Sequence, residues 1–182
     1  MNTVTIFRGT LPKNFLGNVI YQFQLPCSCT ALHIRLICHL QDRKEAAFLH
    51  EKEAEAAFLD HCGRLPDAQE KERLLAQMKT EIQLAAFLSG KFLGNVHRPG
   101  NIKEMHFSPD EERTCGCMDQ KGPYHGLLKL VINSFGVLEE EISYELKIEC
   151  VPETFEKEEK DRRGEITCVI SPRGLSNASA WR

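Results

Sequence analysis

The chain opens with alternating apolar and polar residues, a pattern that is typical of half-buried β-strands. Apolar side chains alternate at Val4 and Ile6, again at Tyr21 and Phe23, and a third time over residues 32–38. Glycine, proline and asparagine separate these segments, as expected where strands end. Because successive side chains of a strand point to opposite faces, the pattern predicts an antiparallel sheet with one buried face.

A helical period replaces the alternation at about residues 42–89. In DRKEAAFLHEKEAEAAFLDHCG the apolar residues recur at helical spacing, and Gly63 stands where a left-handed helix cap is expected. Asp67 and Glu70 have the spacing of a capping box, and apolar residues continue at helical spacing until Gly90. Since the connection between the two helices is short, the sequence predicts an antiparallel helical hairpin inserted between strands.

The alternating pattern returns after His125 in GLLKLVINSF and in ISYELKIEC, the clearest period-two segment of the chain. The charged segment FEKEEKDRRG predicts an exposed loop or a frayed helix, and EITCVI predicts a last short strand. Together these patterns predict a mainly β protein, an antiparallel jelly-roll-like β-sandwich with an inserted helical hairpin. The sandwich domain would occupy residues 1–173, and residues 174–182 would form a C-terminal tail or linker.

Composition and charge narrow the function classes. The chain has 182 residues and a formal net charge of −3, so it lacks the excess of Lys and Arg that non-specific binding to nucleic acid requires. No apolar run approaches the ~20 residues of a membrane-spanning helix. The N-terminal residues have no basic region followed by an apolar core, so they do not resemble a secretory signal. We therefore expect a cytoplasmic protein that binds neither membrane nor nucleic acid.

Eight cysteines raise the question of a metal site. The pairs Cys27-x-Cys29 and Cys115-x-Cys117 supply four thiolates, the number that a structural zinc site uses. However, zinc knuckles use C-x₂₋₄-C spacing, so small, partly buried thiols without a cofactor are the alternative. The other four cysteines lie in apolar patterns and are predicted to be core residues: Cys38, Cys62, Cys150 and Cys168.

The segment GNVHRPGN, residues 94–101, is the most chemically dense loop of the sequence. His97, Arg98 and the backbone amides of such a loop could hold an anion. An ordinary turn is the alternative, since Gly, Pro and Asn are the residues of which turns are made. No G-x-S-x-G, Walker, H-E-x-x-H or dinucleotide motif is present, so we predict no catalysis by this chain itself.

Several segments carry a resemblance to a known family: FRGTL, YQFQLPCSCTALHIRL, HGLLKLVINSF and ISYELKIEC. They resemble the N-terminal β-sandwich that precedes the catalytic domain in PHP-type (polymerase and histidinol phosphatase) metallohydrolases. In that family a Trp-containing segment leads into a G-D-x-H-x-H stretch. Here SNASAWR stands at that place and no H-x-H follows. The helical hairpin replaces a family loop with aspartate and glycine signatures.

The resemblance implies a non-catalytic accessory domain whose partner is a PHP-type hydrolase domain, in cis or in trans. Trp181 would then lie at the junction between the two domains. The alternative is a stand-alone binding module for a carbohydrate or protein ligand. Such a module is expected to expose an aromatic cluster, whereas Tyr21 and Tyr144 are predicted to lie on core faces.

Overall fold

The computed structural model describes residues 2–41, 43–109 and 122–153, together with the backbone of two strands at 156–160 and 166–170. These residues form a mainly β structure with two four-stranded antiparallel sheets and a few helices. The strands are β1 (Thr3–Pro12), β2 (Gly17–Gln24), β3 (Cys29–Cys38), β4 (Ile82–Leu88), β5 (Lys91–Val96), β6 (Ile102–Phe107), β7 (Leu127–Ser134), β8 (Glu141–Pro152), β9 (Glu156–Lys160) and β10 (Ile166–Ile170). The helices are α1 (Arg43–Leu49), α2 (Glu51–Cys62) and α3 (Ala68–Gln77).

The chain passes back and forth between the two large sheets. One sheet has the strand order β1-β8-β3-β6, and the other has the order β2-β7-β4-β5. Only the β4–β5 hairpin joins neighbours within one of these sheets, whereas each other connection from β1 to β8 changes sheet. Strands β9 and β10 pair with each other as a separate antiparallel ribbon. Buried residues of both large sheets belong to one hydrophobic cluster, which forms the core.

Strand β8 shows why these segments fold as strands. Ile142, Leu146 and Ile148 are almost fully buried, whereas the Ser, Glu and Lys residues between them face outward. Period-two alternation is the pattern that a sheet with one buried face requires. The structure therefore confirms the alternation that the sequence predicts for this segment.

A tyrosine on β8 fills the space above a glycine on β1. Gly9 lies directly opposite Tyr144 in the sheet register, and a Cβ at position 9 would lie 2.6 Å from Cζ of that ring. The Tyr144 hydroxyl forms a 2.9 Å hydrogen bond with the hydroxyl of Tyr21. Burial and this hydrogen bond raise the pKa of Tyr144 above its usual value. Tyr144 is buried and Tyr21 half-buried, so both lie on core faces as the sequence predicts.

The helical segment differs from its sequence-based prediction. The capping box at Asp67 and Glu70 is present, but α3 ends at Gln77 and residues 82–88 form β4. The prediction of a helix that continues to residue 89 is therefore wrong. The apolar residues of the segment IQLAAFL fit the period of a helix as well as that of a strand. The segment forms a strand because it pairs with β7 on one side and β5 on the other, and this pairing buries alternate side chains from Ile82 to Leu88.

Two further expectations need correction. Residues 156–160 form strand β9, not a loop or frayed helix, because they pair with β10. Cys62 is exposed, since α2 buries none of its residues, whereas Cys38 and Cys150 are buried as predicted. The last strand, β10, is confirmed, although the side chain of Cys168 lies outside the described residues. None of the helices in the described part of the chain has the length and apolar composition needed to cross a bilayer.

Candidate functional site

A cleft of about 470 Å³ opens at the end of the two large sheets where β3 and β5 end and β4 and β6 begin. The helical segment leaves the cleft at Gln41 and returns to it at Lys79, so the cleft lies where both sheets meet this segment. The lining residues come from four chain segments: Leu40 and Gln41; Lys79, Thr80, Glu81 and Ile82; His97, Arg98, Pro99, Gly100, Asn101 and Lys103; and Glu139.

The buried carboxylate of Glu139 forms hydrogen bonds with residues at both ends of the helical segment. Glu139 is only 3 % exposed, and it accepts hydrogen bonds from the Gln41 backbone N–H and the Thr80 hydroxyl. The Thr80 hydroxyl oxygen in turn accepts a 2.9 Å hydrogen bond from the Leu138 backbone N–H. Because each group has a partner, this carboxylate can be buried without the cost of unsatisfied polar atoms.

A histidine provides a second anchor for the same segment. His50, between α1 and α2, is buried, and its Nε2 lies 2.6 Å from the Leu138 carbonyl oxygen. Its Nδ1 lies 2.5 Å from a carboxylate oxygen of Glu53. The helices are therefore held to the connection between β7 and β8, beside the cleft.

One wall of the cleft carries balanced charge. The Glu81 carboxylate lies 3.0 Å from the Lys79 ammonium and also contacts Nε2 of His97. The hydrogen bonds from Lys79 and then from His97 hold the pKa of Glu81 below its usual value. The His97 ring also stacks on Phe135, with ring centroids 6.1 Å apart.

The residues after His97 carry positive charge that no carboxylate balances in the described part of the chain. Lys103 lies on the core-facing side of β6, in line with Met105 and Phe107, and is only 4 % exposed. Its ammonium donates to the Gly100 carbonyl, and no carboxylate lies within ion-pair distance of it among the described residues. Arg98 is exposed and likewise has no hydrogen bond or ion pair within that part of the chain.

Burial and two neighbouring side chains determine the pKa of Lys103. Burial lowers the pKa of the Lys103 ammonium, and the guanidinium of Arg98 lowers it further. The buried thiol of Cys38 acts in the opposite direction, and burial raises the pKa of that thiol to about 11. The cleft thus presents two neighbouring positive groups, one of them shielded from water.

The residues of the predicted anion site lie together at the cleft. His97 and Arg98, the residues predicted to hold an anion, both line the cleft. A ligand at these residues stays a prediction.

The cysteine site is only partly visible. The sulfur atoms of Cys27 and Cys29 lie 3.9 Å apart, whereas Cys115 and Cys117 lie outside the described residues. Burial raises the pKa of Cys27, and a hydrogen bond with Cys150 raises the pKa of Cys29. Within the described ranges, no three or more His, Cys, Asp or Glu side chains are placed to hold a metal ion. The four-cysteine zinc site therefore stays a prediction.

Sequence reasoning missed Lys103 and Glu139. The alternation of Met105 and Phe107 places position 103 on the core face of β6, so a lysine there is a signal of a buried charge. Glu139 likewise follows buried Val137 at period two, but it stands in the acidic run LEEE, which predicts an exposed turn.

Comparison with known proteins identifies a family. The model of a family of unknown function, DUF6669, matches residues 1–157. The chain belongs to this family. None of the curated proteins matches the chain. The description of the family does not mention metallohydrolases, so the resemblance to the PHP-type accessory domain stays a prediction.

Proposed function

We propose that this chain is a binding module whose cleft takes the anionic group of a small ligand. The observation that carries the proposal is Lys103, a buried ammonium that lies near Arg98 without a carboxylate partner in the described part of the chain. Burying an unpaired charge is costly, and two like charges add repulsion. A bound anion removes both costs, because it pairs with Arg98 and Lys103 at once.

The chemistry of the two cations favours a phosphate, sulfate or carboxylate group. The planar guanidinium of Arg98 can donate two parallel hydrogen bonds to such a group, and the Lys103 ammonium supplies a compact charge. The proposal narrows the sequence-based alternative, a carbohydrate or protein ligand, to ligands that carry an anion. A sugar phosphate or an acidic side chain of a partner fits this description.

Calorimetric titration with inorganic phosphate tests this proposal. We expect saturable, millimolar binding to the full chain, and about tenfold weaker binding to Arg98→Gln, because losing a charged hydrogen bond costs about 1.5 kcal/mol. Lys91→Gln is the matched control, since Lys91 is exposed at the other end of β5. Absence of saturable binding, or equal weakening in both variants, would contradict the proposal.

We also propose that the two large sheets are the layers of a jelly-roll-like β-sandwich with an inserted helical hairpin. The single hydrophobic cluster drawn from both sheets supports the sandwich. The short connection between α2 and α3 and the 2.7 Å ion pair between Lys71 and Glu55 support the hairpin. A cytoplasmic location belongs to the same proposal, supported by free thiols at the described cysteines, which suit a reducing compartment.

An accessory role beside a PHP-type hydrolase domain is the second candidate function. The segments that carry the sequence resemblance form β1, β2, β3, β7 and β8, so the resemblance involves strands of both large sheets. The intact mass of the native gene product tests this role. A larger product with a hydrolase domain after Trp181 is the expected result. A product that ends at Arg182 and co-purifies with no metallohydrolase would contradict it.

A further inference from the structure

We propose that Lys103 is a nucleophilic amine that captures an aldehyde bearing an anionic group, by forming an imine inside the cleft. This inference rests on the proposed anion-binding function, because Arg98 would hold the anion of the aldehyde. Lys103 would pair with a free anion in its ammonium form and would react with the aldehyde group in its neutral form. It adds a covalent step that anion binding alone does not require.

The position of Lys103 shields its amine from water. The residue lies opposite Leu36 in the pairing of β3 with β6, and Leu36 is fully buried. The stem of the lysine therefore runs along the core face of the sheet, and the residue also lines the cleft that a ligand would enter. A lysine in such a place is desolvated and yet within reach of a bound molecule.

The two carboxylates that line the cleft have partners other than the Lys103 amine. The carboxylate of Glu81 is engaged by Lys79 and His97, and that of Glu139 accepts from Gln41 and Thr80. The described acceptor for the Lys103 amine is the uncharged Gly100 carbonyl.

Two neighbouring side chains, Arg98 and Cys38, also affect the pKa of the Lys103 amine. The positive charge of Arg98 lowers the pKa of Lys103, whereas the Cys38 thiol raises it and has the larger effect of the two, so burial is the main cause of the lowered pKa. Desolvation and a neighbouring cation are the two conditions that activate lysine as a nucleophile.

The chemical step balances without an oxidant or reductant. The lone pair of the neutral amine attacks the aldehyde carbon, and the carbonyl oxygen takes up a proton to give a carbinolamine. Loss of that hydroxyl group as water then forms the carbon–nitrogen double bond, so the overall change is amine plus aldehyde to imine plus water.

Lys79 provides an internal control within the same cleft. Its side chain is 47 % exposed, and its ammonium pairs with Glu81 at 3.0 Å. An aldehyde bound through Arg98 would lie in the cleft that both lysines line. A difference between their rates therefore reports the environment of the amine and not merely the local concentration of aldehyde.

The test uses pyridoxal 5′-phosphate as the probe aldehyde, with borohydride reduction to trap the imine and mass spectrometry of the full chain to locate it. Near neutral pH we expect Lys103 to be labelled on the order of tenfold faster than Lys79, the ratio that a modest shift in amine ionisation produces. Because burial lowers the pKa of Lys103, its labelling rate should also reach its plateau at a pH below the ordinary lysine pKa of 10.5.

Arg98→Gln and pyridoxal, which lacks the phosphate, separate the two proposals. In the unaltered chain the phosphate should accelerate labelling of Lys103, and Arg98→Gln should remove this advantage. Phosphate binding without faster labelling of Lys103 than of Lys79 would overturn the imine and leave the anion site standing. Failure of both phosphate binding and selective labelling would overturn both proposals.

Discussion

Lys103 and Glu139 are buried charged residues of the described chain, and both line the cleft. Their environments differ. Glu139 has hydrogen bonds from backbone and side chain, which is how a structural carboxylate is stabilised, whereas the one partner of Lys103 among the described residues is a neutral carbonyl. We therefore assign a structural role to Glu139 and a ligand-binding role to Lys103.

Replacing Glu139 tests the structural role. In Glu139→Gln the new amide retains one acceptor oxygen, so it cannot reproduce both hydrogen bonds and the negative charge. We expect a loss of about 1–2 kcal/mol in the free energy of unfolding, measured by urea titration. Glu140→Gln is the control, because Glu140 is exposed and pairs with Lys13 at the surface. Equal unfolding midpoints for the two variants would contradict the role of Glu139.

The close approach of Tyr144 to Gly9 gives a second prediction at this scale. A methyl group in Gly9→Ala would overlap the tyrosine ring, so we expect a loss of about 2 kcal/mol in the free energy of unfolding. In a double-mutant cycle, Tyr144→Leu should relieve most of this loss because it removes the overlapping ring. Additive effects of the two substitutions would show that the ring does not fill the space above Gly9.

At the scale of elements, the start of α3 predicts a pH dependence. A hydrogen bond from Arg64 and then one from the Asp67 backbone lower the pKa of Glu70 to about 2. Since this pKa lies below its unfolded value of 4.5, the stabilisation is present above pH 4.5 and is lost as pH falls towards 2. The helicity of residues 68–77, followed by NMR chemical shifts, should decrease over that range.

Glu70→Gln is the control for this prediction. Glutamine can still accept the hydrogen bond from the Asp67 backbone N–H, as in other capping boxes, but it does not titrate. The variant should therefore lose the part of the pH dependence that belongs to Glu70. An unchanged acid transition in the variant would show that another group controls the helix.

At the scale of elements, sequence patterns are sufficient to predict some strands but not others. β8 is predictable because its alternation has no helical alternative. The segment IQLAAFL is not, because its apolar residues fit a helix as well as a strand, and only pairing with β7 and β5 distinguishes them. The sequence analysis did not predict β5 and β6, because each strand has only six residues and the turn-forming residues around Pro99 lie between them.

For the whole molecule, the mainly β class follows from local patterns, whereas the cleft does not. His97 and Arg98 stand out in the sequence because they are polar residues in a turn. Lys103 follows Arg98 closely along the chain, but their proximity to Glu139 depends on how β3, β4, β5 and β6 meet at one end of the sheets, and contacts between residues so distant along the chain leave no local signal.

The most direct test of the anion-binding cleft is a titration of the isotopically labelled full chain with inorganic phosphate, followed by the backbone amide NMR shifts. We predict saturable shifts concentrated at residues 79–82 and 97–103, with a chloride titration at equal ionic strength as the baseline. Shifts that do not saturate, or that concentrate away from these residues, would contradict the account.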